Sequence, residues 1–283
     1  MEKENKLVKK VKRLIRRLGY PRWLHHFGPK KYEFYEHLVA LLIRFNCRLS
    51  FRRVNQFMDM IGLRCPSKSA LHCTSKKLGS NFWSRILDTT CGTSYLISID
   101  STGLARTNPS YHYLKRIDGK VPKIPVKVSI AFDTKKKKFK AARIRVTPAH
   151  DMKDATYLVN KSDPKVLVAD KAYDANSLHK YCRQNKIRAH IPIRKKGKPV
   201  HGALTARRLA AKKFRIRTYH RREIGESGNG SLKRKYGGCV FAKKARTIRT
   251  EVYGRMACHN IFLFYIWRFG TEPISRIKTF RAV

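Results

Sequence analysis

Residues 95 to 100 read Tyr-Leu-Ile-Ser-Ile-Asp, a short apolar run that ends in a carboxylate. Residues 165 to 170 repeat the form as Lys-Val-Leu-Val-Ala-Asp. Short apolar runs rich in β-branched residues are typical of buried strands. Sites in open α/β sheets gather beyond the carboxyl ends of the strands. We therefore expect Asp100 and Asp170 to point into one crevice, on adjacent strands.

A β-hairpin is predicted between these two runs. Val126 to Phe132 alternates apolar residues with small or polar ones and ends at Asp133. A basic turn at 135–138 then leads to Phe139 through Val146, a second run of strand character. Two such runs joined by a short polar turn are typical of antiparallel partners.

Helices alternate with strands in the rest of this half. Asp151 and Asp174 stand where helix N-caps belong, before segments with apolar residues at helical spacing. A fifth strand is predicted at 187–193 and a last apolar helix at about 250–268. Three consecutive strands followed by helix, strand, helix, strand and helix predict a ribonuclease H-like α/β fold, with a mixed sheet and flanking helices.

The N-terminal third is predicted to be helical. Apolar residues recur at helical spacing from Leu7 onward, and Ser50 and Ser67 can cap two short helices. The turn between these helices contains Gly62 and Pro66, as in a helix-turn-helix whose second helix lies in the major groove. The same pattern also occurs in ordinary helical bundles, so both interpretations stay open here.

The change from helical to strand-rich sequence patterns near residue 91 predicts two domains. We expect a helical DNA-binding domain at 1–90 and a ribonuclease H-like catalytic domain at 91–283. A short basic insertion without clear periodicity is expected in the second domain, at about 194–218.

The charge of the chain points to a nucleic-acid partner. Lys and Arg number 65 against 18 Asp and Glu, a formal net charge of +47 over 283 residues. Such an excess repels itself in the folded state unless a polyanion neutralises it. The basic residues recur along the whole chain, which favours nucleic acid over a locally docked membrane anchor. Because 42% of residues are hydrophobic, a disordered basic tail is excluded.

The seven cysteines indicate neither a disulfide framework nor a zinc ribbon. Their number is odd and they contain no Cys-x-x-Cys pair. His72 with Cys73, and Cys258 with His259, are half-sites at most. Reduced cysteines and the lack of a signal peptide favour a cytoplasmic, nucleoid-associated protein. The longest apolar runs are too short to cross a bilayer.

Asp100 and Asp170 are the best candidates for a metal site. Two carboxylates in one crevice repel each other unless a divalent cation bridges them. Oxygen ligands suit Mg²⁺ or Mn²⁺, and two such ions can activate a nucleophile and stabilise a leaving oxygen. Other acids have simpler explanations: Asp133 meets a lysine-rich turn, and Glu226 could merely offset nearby basic charge. Both alternatives stay open on spacing alone.

A spaced motif adds a family resemblance. Tyr219, Arg222, Glu226 and Lys233 fit the pattern Y-x2-R-x3-E-x6-K. This is similar to the YREK signature of insertion-sequence transposases with a DDE catalytic domain. The contexts Ile-Ser-Ile-Asp-Ser-Thr-Gly and Val-Ala-Asp-Lys-Ala-Tyr-Asp resemble the first and second acidic motifs of that family. The resemblance covers about residues 91–268, in the right order.

The resemblance implies roles for these residues. Asp100, Asp170 and Glu226 are expected to be the catalytic and metal-binding triad, holding Mg²⁺ or Mn²⁺, with two ions expected. Tyr219, Arg222 and Lys233 are expected to contact DNA near the cleaved end. The partners implied are double-stranded DNA, as element terminal repeats and as target, and a second copy of the chain in a homodimeric synaptic complex.

One departure and two alternatives accompany the resemblance. Gly225, Gly228, Asn229 and Gly230 crowd the segment in which the family places its glutamate on a helix, and glycine weakens helices. A metal-dependent nuclease of the same fold would need the same carboxylates but would not rejoin ends. A non-enzymatic basic binder would leave the strand-end aspartates without a function.

Overall fold

The computed structural model describes residues 5–25, 27, 29–106, 125–194 and 206–269. The helices are α1 (Lys6–Arg17), α2 (Phe34–Asn46), α3 (Phe51–Met60), α4 (Lys68–Lys77), α5 (Ser80–Cys91), α6 (Met152–Ser162), α7 (Asn176–Gln184), α8 (Ala206–Lys212), α9 (Ile216–Tyr219), α10 (Arg222–Tyr236) and α11 (Ala245–Phe269). The strands are β1 (Leu96–Arg106), β2 (Val126–Asp133), β3 (Lys138–Arg145), β4 (Val166–Ala169), β5 (Arg188–His190) and β6 (Cys239–Val240). A 3-10 turn covers Lys171–Tyr173.

The sheet is mixed and runs in the order β3-β2-β1-β4-β5. The first three strands pair antiparallel, whereas β4 and β5 run parallel to β1. β6 pairs with the far end of β1. Helices flank both faces, so the predicted α/β fold, a mixed sheet with flanking helices preceded by N-terminal helices, is confirmed. No helix in the described part of the chain is long and apolar enough to span a membrane.

β1 is longer than the sequence pattern predicts. The expected strand ended at Asp100, but the strand continues to Arg106 because β2 supplies antiparallel partners along most of its length. Its parallel pairing with β4 does stop at Ile99, opposite Ala169. Asp100 and Asp170 therefore come at the same level of the sheet, one residue beyond the last paired positions of β1 and β4.

Helix boundaries also differ in places from expectation. The last helix begins at Ala245 rather than near 250, and the predicted fifth strand shrinks to Arg188–His190. The basic stretch contains α8 and α9, which its lack of periodicity did not indicate. Ser50 and Ser67 do cap α3 and α4, since each hydroxyl accepts a hydrogen bond from the third backbone N–H of its helix.

Two apolar clusters lie on the two faces of the sheet. One contains Ile97, Ile99 and Leu167 with apolar residues of α6 and α7. The other contains the opposite face of β1 to β3 together with α10, α11 and the buried faces of α1 to α5. The N-terminal helices thus share one core with the sheet. The division at residue 90 into two domains stays a prediction.

Helix α11 joins the two parts of this shared core. The Thr250 hydroxyl contacts the carbonyl oxygens of Ser75 and Leu78, at the end of α4, at 3.2 and 3.1 Å. One turn further, Arg255 donates to the carbonyl oxygens of Gly237 and Cys239, just after α10, at 3.0 and 2.7 Å. One helix therefore anchors the ends of both α4 and α10.

Candidate active site

Asp100 lies half-buried on β1 and faces α10. Its Oδ1 accepts a hydrogen bond from the Ser101 backbone N–H at 2.8 Å, and its Oδ2 accepts one from the Asn229 amide at 2.7 Å. Burial raises the pKa of the Asp100 carboxyl, while these two hydrogen bonds oppose the rise. The charge of Glu226 raises the same pKa further and that of Arg222 lowers it. Asp100 and the start of α10 therefore share one electrostatic environment.

Asp170 directly follows β4 and is the N-cap of the 3-10 turn. Its Oδ1 accepts a hydrogen bond from the Lys171 backbone N–H at 2.7 Å. Tyr173, in the same turn, places its hydroxyl 2.9 Å from the hydroxyl of Ser101, the residue after Asp100. This hydrogen bond links the segment after Asp100 to the segment after Asp170 and so fixes their relative positions.

Glu226 lies on the first turns of α10 with its side chain 47% exposed. Its Oε1 is 2.5 Å from Nη1 of Arg222, one helical turn earlier. Burial opposes the charged form of Arg222, but Tyr219, Glu226 and Asp170 together raise the pKa of its guanidinium. Arg222 thus interacts with acids from both the helix and the strand ends.

The glycines of α10 explain why the helix can lie so close to the sheet. A Cβ on Gly225 would come within 2.3 Å of Ser98 Oγ and 2.7 Å of Ser98 Cβ, on β1. A Cβ on Gly228 would come within 2.7 Å of the Phe132 ring, on β2. Real Cβ atoms do not approach so closely, so larger residues would displace α10. Two of the glycines noted in the sequence, Gly225 and Gly228, are therefore required by packing.

The three acids do not form a closed metal site. Across residues 5–25, 27, 29–106, 125–194 and 206–269, no group of three or more His, Cys, Asp or Glu side chains is placed to hold an ion. Asp100 is held by the Asn229 amide and Glu226 by Arg222. The donors nevertheless suit a hard cation, because all are oxygens. Oδ1 of Asn229 is also buried without a hydrogen-bond partner, beside Asp100.

Tyr219 and Lys233 lie on either side of this group. Tyr219 ends α9, and the Arg222 guanidinium is 5.5 Å from the centre of its ring. Lys233 is exposed and follows Glu226 by seven residues, about two helical turns, so both residues lie on one face of α10. The four residues of the spaced motif therefore form one stripe, from the end of α9 along α10.

Asn229 was missed by sequence reasoning, which noted it only among helix-weakening residues. Its position carries a usable signal, because it follows Glu226 by three residues and Arg222 by seven. Those spacings place all three on neighbouring positions of one helix face. An amide there can donate to a carboxylate, as it does to Asp100.

The competing acids have structural partners. Asp133 accepts hydrogen bonds from the backbone N–H groups of Lys135 and Lys136, so it shapes the hairpin turn. Asp151 does not cap α6 with its side chain, which pairs with Lys127 at 2.6 Å instead. Asp151 thus occupies the expected N-cap position, but its side chain makes no capping hydrogen bond because a lysine close in space offers the stronger, charge-assisted contact.

Asp174 was also wrongly expected to be a helix cap. Ala175 occupies the N-cap position of α7, whereas the buried Asp174 carboxylate pairs with Arg207 of α8 at 2.5 Å. It also accepts a hydrogen bond from the Arg194 backbone N–H and lies 3.2 Å from His179 Nε2. Asp174 therefore fastens the basic helix α8 to the loop that follows Asp170.

One of the two Cys-His half-sites, Cys258 with His259, has structural partners. All seven cysteines are free. The buried Cys258 thiol donates to the carbonyl oxygen of Leu42, and His259 Nε2 lies 3.0 Å from that of Lys137. Burial lowers the pKa of His259 to about 4, so its ring is neutral near pH 7.

Comparison with known proteins places this geometry in context. The family described as Transposase DDE domain matches residues 92–261. No curated protein matches the sequence. Among solved structures, the chain is similar to a piggyBac transposase, seen by cryo-EM in a synaptic complex with hairpin DNA. The two are 11% identical, the match covers 99% of this chain and 75% of that one, and the TM-score is 0.45.

Proposed function

The chain belongs to the Transposase DDE domain family, and we propose that it cuts DNA at the ends of its element and joins them to target DNA. One observation carries the proposal: Asp100 and Asp170 lie level at adjacent strand ends, and α10 brings Glu226 into electrostatic contact with Asp100. Carboxylates from three separate elements at one edge of the sheet support a metal-dependent reaction there.

Asp100, Asp170 and Glu226 are the proposed holders of divalent metal, Mg²⁺ or Mn²⁺, with two ions proposed. When bound, such ions activate the attacking oxygen and stabilise the leaving one. Arg222 now pairs with Glu226, and a DNA phosphate would compete for the same guanidinium. A phosphate held by Arg222 would free Glu226 to join the two aspartates. Substrate and metal binding would then support each other.

The proposed partner is double-stranded DNA, with the chain acting as a homodimer in a synaptic complex on chromosomal DNA. α3 and α4 are the proposed helix-turn-helix. α4 buries Leu71, Thr74 and Ser75, while Lys68 in its first turn and Lys76 in its last turn are exposed. Exposed cations on the second helix of such a pair are available to contact DNA phosphates.

Lys68→Ala and Lys76→Ala should each weaken binding to the element end. If each lysine contacts a phosphate, the slope of log K against log salt should fall by about 0.9 per substitution. Fluorescence anisotropy across a KCl series measures both quantities. Lys153→Ala on α6 is the control, and a slope that falls equally there would remove the special role of α4.

Arg222→Ala and Lys233→Ala should impair cleavage more than binding. Dozens of other cations supply most of the affinity, whereas these two would position one phosphate. Misplacing that phosphate by about 1 Å can cost on the order of a hundredfold in rate. Single-turnover cleavage under saturating protein separates the two effects. Arg234→Ala, beside Lys233 on α10, is the matched control, and cleavage of the bound DNA at wild-type rate in Arg222→Ala would refute the role.

The direct test incubates the purified chain with its element's flanking DNA and Mg²⁺. Cleaved and joined products support a transposase. Cleavage without joining would support the nuclease of the same fold. DNA binding without either product would support a non-enzymatic basic binder.

A further inference from the structure

A basic cleft of about 1440 Å³ lies beside the candidate active site. Its walls come from α7, α8, α9 and β5, with the start of β1 at its base. Nine of the residues that line it are Lys or Arg, and none is Asp or Glu. The chain as a whole has 65 basic and 18 acidic residues, so the cleft is basic even against this background.

The positive charge of the cleft is not compensated by the protein. None of its nine cations forms an ion pair with a carboxylate in the part of the chain that the structure describes. Burial lowers the pKa of His190, and the charges of Arg188 and Arg215 lower it further. Nδ1 of His179, also at the cleft, is buried without a hydrogen-bond partner. Clustered unpaired cations are unfavourable unless an anion joins them.

Aromatic rings connect the cleft with the candidate active site. The His190 and Phe214 ring centres are 6.2 Å apart, and those of Phe214 and Tyr219 are 5.6 Å apart. Arg222 lies 5.5 Å from the Tyr219 ring and 2.5 Å from Glu226. A continuous chain of contacts thus runs from the cleft wall to the proposed triad.

Helix α9 and the start of α10 separate the cleft from the acids. Arg217 and Arg221 line the cleft, while Tyr219 and Arg222 belong to the stripe beside the acids. An α-helix is about 10 to 12 Å across, which corresponds to about three base pairs of duplex at 3.4 Å each. A strand with one phosphate at Arg222 would therefore reach the cleft within a few nucleotides.

We propose that this cleft binds the sugar-phosphate backbone of the duplex that continues from the scissile phosphate. The inference rests on the proposed function, because it takes the position of that phosphate from Arg222 and the acids. Nine cations spread over several elements fit an extended polyanion rather than one small anion. Contacts of this kind position DNA without reading its sequence.

The test neutralises four exposed cations of the cleft and compares them with four exposed cations elsewhere. The cleft variant carries Arg183→Gln, Lys212→Gln, Lys213→Gln and Arg217→Gln. The control variant carries Lys153→Gln, Lys161→Gln, Lys243→Gln and Lys244→Gln, which change the net charge equally. Arg188 is left intact because it donates to the Tyr95 hydroxyl at 2.5 Å. Circular dichroism melting verifies that both variants fold.

Binding is measured without metal on two duplexes that end at the scissile position, one approaching it from each side. Each is compared with a duplex that continues past that position by 12 base pairs. For the wild type and the control variant, extension on one side should increase affinity. The cleft variant should fail to show this increase. Its salt slope on the extended duplex should fall by about three to four, because each cation that neutralises a phosphate adds about 0.9 to the slope.

Equal gains from extension in the cleft variant and the wild type would overturn the proposal. So would equal salt slopes in the cleft and control variants. Because no cleavage is required, failure here is distinct from failure of the proposed function. A chain that shows the expected binding but never cuts DNA would contradict the transposase assignment alone.

Discussion

Asp100→Asn, Asp170→Asn and Glu226→Gln should each abolish Mg²⁺-dependent cleavage while leaving folding and DNA binding intact. Each change removes one ligand charge and nearly preserves the shape of the side chain. Loss of one bridging cation is worth several kcal/mol of transition-state stabilisation, so cleavage should fall by about three orders of magnitude. DNA binding should persist in Ca²⁺ or without metal, because the basic surface is unchanged.

The free energy of unfolding separates this effect from damage to the fold. Burial already raises the pKa of Asp100, and Glu226 adds to the rise, so Asp100→Asn should be neutral or slightly stabilising in the metal-free protein. Asp151→Asn is the control, because Asp151 pairs with Lys127 instead of facing α10. The Asp151→Asn variant should cleave DNA at the wild-type rate. A triad variant that cuts nearly as fast as the wild type would refute the assignment of that residue.

Gly225→Ala and Gly228→Ala should each destabilise the protein and disable cleavage. Alanine normally favours a helix over glycine by about 0.5 to 1 kcal/mol. In Gly225→Ala the new methyl group would overlap Ser98 Cβ, and no rotation of the Ser98 hydroxyl relieves that overlap. In Gly228→Ala the methyl group would overlap the Phe132 ring. That ring packs against Phe139 and His259, so it has little freedom to move. Overpacking of this kind costs about 1 to 3 kcal/mol.

The displacement of α10 would also move Glu226 and Arg222 away from the strand ends. Cleavage should then fall by on the order of a hundredfold, even in the folded fraction. Gly230→Ala is the matched control, because its nearest neighbour is the Arg234 guanidinium at 4.0 Å. It should stabilise the protein or leave it unchanged. Urea denaturation and single-turnover cleavage measure both effects, and wild-type stability in Gly225→Ala would show that α10 tolerates a wider separation.

Much of the strand arrangement was predictable because apolar runs and turn residues are local signals. The hairpin around 135–138 and the level placement of Asp100 and Asp170 follow from them. The continuation of β1 to Arg106 was not predictable, because it depends on pairing with β2 rather than on its own mixed residues. The ion pairs of Asp151 with Lys127 and of Asp174 with Arg207 were also not predictable, since the partners are distant in sequence.

The candidate site shows the same limit. The spaced motif identified the stripe on α10, but the contact of Asn229 with Asp100 joins residues 129 positions apart. The effect of Gly225 and Gly228 could not be decided from the sequence for a related reason: helix propensity is local, whereas the close contact with Ser98 and Phe132 exists only in the folded chain.

In the proposed function, the anchoring of both α4 and α10 by α11 would limit where the DNA is cut. Because Thr250 and Arg255 lie little more than one turn apart on one helix, the proposed recognition helix and the acids cannot swivel independently. If the proposed function holds, the distance and the angle along the duplex between the bound repeat and the cut site would therefore be fixed. Inserting about five base pairs between the bound repeat and the cut site would turn the scissile strand to the opposite side of the double helix. An insertion of about ten would restore its angular phase but move it about 34 Å further away.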